Sequence, residues 1–119
     1  QILIKRIYDT PMAEDGYRVL VDRLWPRGVS KERAALGTWA KEISPSNELR
    51  KSVHAESITW KEFDKLYKKE LKENAQFVPW RDEILKKLAT ENICFLTSTQ
   101  LTPNGHPYIL KQVLLEEIE

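Results

Sequence analysis

Residues 17–28, YRVLVDRLWPRG, predict a buried strand that ends in a dense polar turn. The apolar run at 19–21 is typical of a strand covered on both faces, which places the strand at 17–22. Pro26 lacks an amide hydrogen for the strand ladder and Gly28 tolerates a positive φ, so the segment WPRG ends the strand.

Three further segments are predicted as strands. Residues 2–7, ILIKRI, place Ile2 and Ile4 on one face. Residues 92–98, NICFLTS, form a short apolar run typical of a buried strand. Residues 38–43, TWAKEI, alternate and predict a shorter strand.

Helices are predicted between the strands and after the last one. Thr59 and Glu62 form a capping box, which marks the start of the clearest amphipathic helix. Its apolar stripe recurs at steps of three and four residues: Trp60, Phe63, Leu66, Tyr67 and Leu71.

Weaker signals mark the other helical segments. Ser30 caps a short turn that runs through Ala35 and is closed by Gly37. The next helix begins either at Ser44 or at Ser46, both of which suit the cap position. The last two helices are each predicted to begin at a proline. The helix that begins at Pro79 has an apolar face of Ile84, Leu85 and Leu88. The helix that begins at Pro107 has an apolar face of Tyr108, Leu110, Val113, Leu114 and Ile118.

Strands that alternate with helices predict an α/β fold. We expect a single compact layered domain over residues 1–119, with a mainly parallel sheet flanked by helices. The chain has 119 residues, of which 41% are hydrophobic and 31% charged, enough for a core without disulfides.

Composition excludes several classes of function. The chain carries 19 basic and 18 acidic side chains, and a net charge of +1 excludes a strongly polycationic nucleic-acid binder but leaves a local basic patch open. Cys94 is the single cysteine, which allows no internal disulfide and favours a reducing, cytoplasmic setting. No apolar run approaches the ~20 residues that span a bilayer, and the start, QILIKRIYD, is too charged for a signal peptide. We expect no metal, cofactor or membrane partner, and the oligomeric state stays open.

Two loops are predicted to carry the chemistry, because open α/β sheets bind ligands beyond the carboxyl ends of their strands. The first loop is 22–31, DRLWPRGVSK, and the second is 97–107, TSTQLTPNGHP.

The first loop is rich in basic residues that suit a phosphate or carboxylate. Trp25 either shields such an anion from water or stacks on a ring. In the structural alternative, Arg23 pairs with Asp22 or Glu32, and Trp25 fills the core. The candidate anion ligands are Arg23, Arg27 and Lys31, with Arg18 upstream.

The second loop places hydroxyl groups, Ser98 among them, at the start of the last helix. Free amides and the helix dipole favour an anion at such an end, although the hydroxyls suit a purely structural helix cap as well. His106 is the best candidate for a titrating group, and Asp22 for an acid or base, unless Asp22 only anchors its loop. Cys94 is expected to be buried and inert, because a rhodanese-like or phosphatase-like cysteine belongs in the following loop, where this chain has Ser98 and Thr99.

Three motifs carry a resemblance to a known family: DGYRVLVDRLWPRGVSKE at 15–32, W-x-K-E-I-S-P-S-x-E-L-R at 39–50, and W-x-x-F-x-x-x-Y at 60–67. Together with the last strand and helix they make nearly the whole chain resemble the YeaO-like family of small bacterial proteins of unknown function. The resemblance implies a compact α/β domain and supplies no activity, substrate or catalytic residue. The matched positions are Arg18, Asp22, Arg23, Trp25, Pro26, Arg27, Gly28, Lys31, Trp39, Lys41, Pro45, Ser46, Leu49 and Arg50.

This chain departs from the family pattern near its end. TSTQLTPNGHPY at 97–108 keeps a histidine, His106, but lacks the acidic and lysine positions that the resemblance implies for this loop. A member that lacks those charges is expected to bind a different ligand or none.

Two classes of function follow. In the first, a small hydrolase or transferase holds an anionic substrate with Arg23 and Arg27 while Asp22 or His106 moves a proton. In the second, a non-catalytic module binds nucleic acid or a protein partner. Its basic face would comprise Arg18, Arg23, Arg27, Lys31, Arg33 and Arg50, with Trp25 or Trp39 stacking on a base.

Overall fold

A parallel four-stranded sheet in the order β1-β4-β2-β3 organises the computed structural model, which describes residues 1–117. The predicted α/β fold with a parallel sheet is confirmed. Ile118, predicted on the last helix, lies outside the described residues. The strands are β1 (Ile2–Arg6), β2 (Tyr17–Leu20), β3 (Thr38–Trp39) and β4 (Ile93–Thr97).

Within residues 1–117, five α-helices and two short 3₁₀ turns, Ala13–Asp15 and Lys41–Ile43, connect or follow the strands. None of the helices within residues 1–117 is both long and apolar enough to cross a membrane. The helices are α1 (Lys31–Ala34), α2 (Asn47–His54), α3 (Trp60–Glu73), α4 (Phe77–Leu88) and α5 (His106–Glu116).

Strand β4 pairs with β1 on one edge and β2 on the other, and it is buried along its whole length because its two faces contact the two core clusters. Strand β2 is covered on both faces, as its consecutive apolar residues predict. Val19 faces the larger core cluster with Phe63 and Leu110, whereas Leu20 faces a smaller cluster with Cys94. The burial expected for Cys94 is therefore confirmed.

Several helix boundaries follow the predicted capping chemistry. The Thr59 hydroxyl accepts from the Glu62 amide at 3.1 Å, and the Glu62 carboxylate accepts from the Thr59 amide at 3.0 Å. Of the two candidate caps for α2, Ser46 is the one used, and its hydroxyl accepts from the Leu49 amide.

Other boundaries were predicted wrongly. The strand expected over 38–43 stops after Trp39, because the chain turns into a 3₁₀ helix once the Ala40 amide has bonded to the β2 backbone. The left-handed residue that ends α1 is Ala35 rather than Gly37, and α4 begins before Pro79.

The amphipathic stripe of α3 is only partly buried. Phe63, Tyr67 and Leu71 enter the core as expected. Trp60 and Leu66 are 45% and 39% exposed. The exposure of Trp60 matters because this indole lies at the wall of the cleft described next.

Candidate functional site

A cleft of about 780 Å³ opens at the carboxyl ends of β1, β2 and β4. Residues 22–27 line it after β2, and several residues between 98 and 106 line it after β4. The two loops predicted from the sequence thus meet at one cleft, as expected for strand ends on the same edge of a parallel sheet. The β1 end and helices α2 and α3 supply the rest of the wall, including Arg6, Tyr8, Arg50, Val53 and Trp60.

Asp22 joins the two loops through four hydrogen bonds. Its Oδ1 accepts from the Thr97 hydroxyl at 2.7 Å and lies 2.9 Å from Nε2 of His106. Its Oδ2 accepts from the amide and the hydroxyl of Ser98 at 2.7 and 2.9 Å. Both oxygens of this buried carboxylate are therefore engaged, and they hold the second loop against the end of β2.

The pKa of Asp22 reflects two opposed effects. Burial raises this pKa, but the hydrogen bond and charge of His106, with the donors of Ser98 and Thr97, outweigh burial and hold it below its ordinary value. Asp22 is thus ionised at neutral pH and serves as an acceptor. It also orients the His106 ring, whose Nδ1 has no hydrogen-bond partner among residues 1–117.

Two arginines that line the cleft donate hydrogen bonds to backbone carbonyls of the surrounding segments. Arg6 donates from Nε and Nη2 to the carbonyls of Thr99 and Ser98, at 3.1 and 2.8 Å. Arg23 donates from Nε and Nη2 to the carbonyls that precede α2, at 3.1 and 2.7 Å, and its Nη1 lies 3.8 Å from Glu42. Arg23, predicted to hold an anion, lines the cleft but uses its Nε and Nη2 donors on the protein itself.

Two other arginines of the cleft carry no carboxylate partner within the described residues. Arg27 is exposed and forms neither a hydrogen bond nor an ion pair there. Arg50 reaches only Oδ1 of Asn47, at 3.4 Å from Nη2, and its Nε is buried without an acceptor. These guanidinium groups have the donor fork that phosphates and carboxylates accept.

Trp25 forms part of the wall in a fixed orientation. Its indole nitrogen donates to the Val29 carbonyl at 2.7 Å, and its ring meets that of Trp39 edge to face at 5.3 Å. Trp39 in turn donates to the Asp22 carbonyl at 2.6 Å. Trp25 therefore presents a rigid surface to the cleft, whereas Trp39 supports it from outside the lining.

Arg18 and Lys31, also predicted to bind the ligand, do not line the cleft. Arg18 is buried, where it pairs with Asp15 and donates to the Ala34 carbonyl at the end of α1. Lys31 opens α1 on the exposed surface. Their positions exclude both residues from the candidate site.

The start of α5 offers less to an anion than the sequence predicts. Pro107 has no amide hydrogen, and the amides of Tyr108 and Ile109 donate to the Gly105 carbonyl. The Asp22 carboxylate also lies close to this helix end, because it is bonded to the side chain of His106. The positive charge that lines the cleft therefore lies on its arginines rather than at this helix end.

The structure offers no activated nucleophile in the described part of the cleft. Cys94 does not line it, and burial raises the pKa of its thiol to about 11. Ser98 lines it, but the Ser98 hydroxyl donates to the Asp22 carboxylate, whose lowered pKa makes it a weak base. Within residues 1–117 no three His, Cys, Asp or Glu side chains are arranged to hold a metal ion.

The sequence pattern does not predict Arg6 and Trp60 at the cleft, nor the position of Arg50 there. Arg6 lies at the end of a predicted strand, so its role in fastening the second loop has no local signature. Trp60 has the spacing of a core residue, and only the tertiary position of the α3 start leaves it at the wall. Arg50 was identified only as part of the basic face, because its spacing does not show that α2 lies beside the loops.

Comparison with known proteins gives a family and two groups of relatives. The family model DUF488-N3i, described as "Inactive DUF488-N3 subclade", matches residues 1–119. "Uncharacterized protein YeaO" of Escherichia coli (strain K12) is 42% identical over 109 residues, covering 92% of this chain and 92% of the relative. "Uncharacterized protein Rv3073c" of Mycobacterium tuberculosis (strain ATCC 25618 / H37Rv) is 32% identical over 114 residues, covering 96% and 93%. No solved structure is significantly similar to the chain.

Proposed function

The chain belongs to the YeaO-like family described as the inactive DUF488-N3 subclade, and we propose that it binds a small phosphate- or carboxylate-bearing ligand in the cleft without transforming it. The observation that carries this proposal is the pair of arginines, Arg27 and Arg50, that line the cleft with no carboxylate partner among residues 1–117.

The charge of the cleft supports an anionic ligand. Four arginines line it, against the two carboxylates of Asp22 and Glu56. Asp22 is buried and its oxygens are directed to donors of the protein, so little of its charge opposes a ligand. A guanidinium–phosphate or guanidinium–carboxylate pair in a partly desolvated cleft is among the stronger polar interactions in proteins.

Binding without turnover fits the same geometry. Asp22, the predicted acid or base, has two hydrogen-bond partners on each carboxylate oxygen. Its oxygens are therefore not available to take a proton from a ligand in the cleft. The word "inactive" in the family description agrees with this view. We assign the protein to the reducing cytoplasm as part of the proposal, because its one thiol is free and buried.

The test is titration calorimetry with inorganic phosphate and with acetate at constant ionic strength. We expect saturable binding of at least one anion, weakened about 10-fold or more in Arg27→Ala and in Arg50→Ala, since each removes charge-assisted hydrogen bonds. Arg33→Ala is the matched control, because Arg33 is exposed and lies outside the cleft.

Arg23→Ala separates structural from binding effects. Its guanidinium supports the carbonyls of Ser44 and Pro45, so we expect a lower urea midpoint for this variant. The proposal fails if neither anion binds at millimolar concentration, or if Arg27→Ala and Arg50→Ala bind as tightly as Arg33→Ala.

A further inference from the structure

Trp60 is an exposed aromatic residue at a position where the sequence pattern predicts a buried one. It is the first residue of α3, 45% exposed, and it lines the cleft. Its ring meets the buried Phe63 edge to face at 5.7 Å, which holds the indole in position. An indole that is anchored on one side and open on another is suited to stacking on a flat ring.

The cleft wall combines such aromatic surface with guanidinium groups. Tyr8 is 40% exposed at this wall, with the Arg6 guanidinium 5.1 Å from the centre of its ring. Trp25 adds a rigid indole face, because its nitrogen is committed to Val29. A ligand that uses all of these surfaces has both an anionic group and a flat apolar ring.

The size of the cleft also exceeds what a small anion fills. Its volume of about 780 Å³ lies within the ordinary range for clefts that hold drug-sized ligands and cofactors. An inorganic phosphate would leave most of it to water. The ligand therefore has a body beyond its charged group.

A second hollow of about 340 Å³ begins at the same indole. It is lined by Trp60, Lys61, Asp64 and Tyr108, among others, so Trp60 borders both concave surfaces. Its one amine lies beside a carboxylate, so this hollow adds aromatic surface next to Trp60 rather than further positive charge.

We infer that the ligand of the cleft is a nucleotide, free or within a single strand, whose phosphate lies at Arg27 and Arg50 and whose base stacks on Trp60. This inference rests on the proposed anion-binding function and adds the chemical class of the ligand. Purine and pyrimidine bases offer the flat ring, and their phosphate offers the charge.

The experiment compares ligands that differ only in the base. Ribose 5-phosphate and 5′-AMP are titrated calorimetrically into wild type, Trp60→Leu and Trp60→Phe. We expect 5′-AMP to bind about 10-fold or more tightly than ribose 5-phosphate, because base stacking adds to the phosphate contact. Trp60→Leu should remove this advantage, and Trp60→Phe should keep most of it. Val78→Ala is the control, an exposed apolar residue outside both hollows.

A second measurement is made on the wild-type protein and uses a variant only to assign one signal. The chain has 4 tryptophans, so its ¹H–¹⁵N correlation spectrum contains few indole N–H signals. The Trp60 signal is the one that is missing from the spectrum of Trp60→Phe. We expect 5′-AMP to shift this signal and ribose 5-phosphate to leave it in place. An adenine tetranucleotide serves as the third ligand, with its salt dependence measured alongside.

The outcomes separate the two proposals. If ribose 5-phosphate and 5′-AMP bind equally, with both weakened by Arg27→Ala, anion binding stands and the nucleotide inference is overturned. If neither binds, the nucleotide inference fails, and the phosphate and acetate titrations decide whether anion binding stands. Base-dependent binding supports the inference, and the tetranucleotide then assigns the source: tighter binding than 5′-AMP with steeper salt dependence identifies a single strand, and equal or weaker binding identifies a free nucleotide.

Discussion

The Asp22 carboxylate supports the cleft because it accepts hydrogen bonds from the end of β4 and from the following loop and also bonds to His106, the first residue of α5. Each of these donors would be left without its partner if the carboxylate were removed. Burying unpaired polar groups is costly, so the integrity of the second loop depends on this one side chain.

We therefore expect Asp22→Ala to lower the free energy of unfolding by about 3–5 kcal/mol, the range for breaking a buried charged network. Urea unfolding followed by circular dichroism measures it. Asp82→Ala is the control, because Asp82 is 64% exposed and, within residues 1–117, pairs only with its neighbour Arg81, so a change within about 0.5 kcal/mol is expected. A loss of less than about 1 kcal/mol for Asp22→Ala would show that the loop holds its position by other means.

The start of α2 is fixed by two elements rather than one. The Ser46 hydroxyl accepts from the Leu49 amide and donates to the Glu70 carboxylate of α3, which also accepts from the Ser46 amide. The cap of α2 is thus also its attachment to α3. Because α2 carries Arg50 to the cleft, this contact bears on the site as well as on stability.

Ser46→Ala is expected to cost about 2 kcal/mol, more than the ~1 kcal/mol typical of losing a helix cap alone. Thr59→Ala removes the cap of α3, which is exposed and bonded only within its own helix start, so it provides the comparison. Thermal and urea unfolding of both variants measure the difference. Equal losses in the two variants would mean that the Glu70 contact adds nothing to the cap.

Prediction from sequence succeeded where one local rule decides the structure. The capping box at Thr59 and the buried apolar run of β4 were placed correctly, because both depend on neighbouring residues alone. The third strand was predicted too long, since its end is decided by where its partner β2 ends. Trp60 has the spacing of a core residue, and only the packing of α3 beside α2 and the loops decides that it faces the cleft.

The same distinction applies to the charged residues. The sequence placed the basic cluster and His106 near a strand-end cleft, but it did not distinguish guanidinium groups with partners from those without. Arg18 donates to the Ala34 carbonyl, 16 residues away, and Arg23 donates to the carbonyls of Ser44 and Pro45, 21 and 22 residues away. Such long-range pairing has no period or spacing in the sequence. It decides nonetheless which arginines are available to a ligand.

A buried carboxylate stands two residues beyond each end of β2, and together they tie this strand to the rest of the fold. Asp15 precedes it and binds Lys5 and Arg18, whereas Asp22 follows it and binds the second loop. Burial raises the pKa of Asp15, but the hydrogen bond from Lys5, the Met12 amide and Arg18 outweigh it and leave the pKa lowered. Asp22 is lowered in the same way by its own donors.

Because both folded-state pKa values lie below that of an unfolded aspartate, about 3.9, each carboxylate adds stability that is fully present above that pH. This stability is lost as the pH falls through the folded-state values. We expect the free energy of unfolding to decline below about pH 4, by up to ~1.4 kcal/mol per pH unit for each carboxylate. Urea unfolding at pH 5, 4 and 3 measures the slope, and Asp22→Asn should reduce it while Asp82→Asn leaves it unchanged. An unaltered slope in Asp22→Asn would mean that the Asp22 network does not favour the ionised carboxylate. The loss of stability in acid would then come from Asp15 and from carboxylates on the surface.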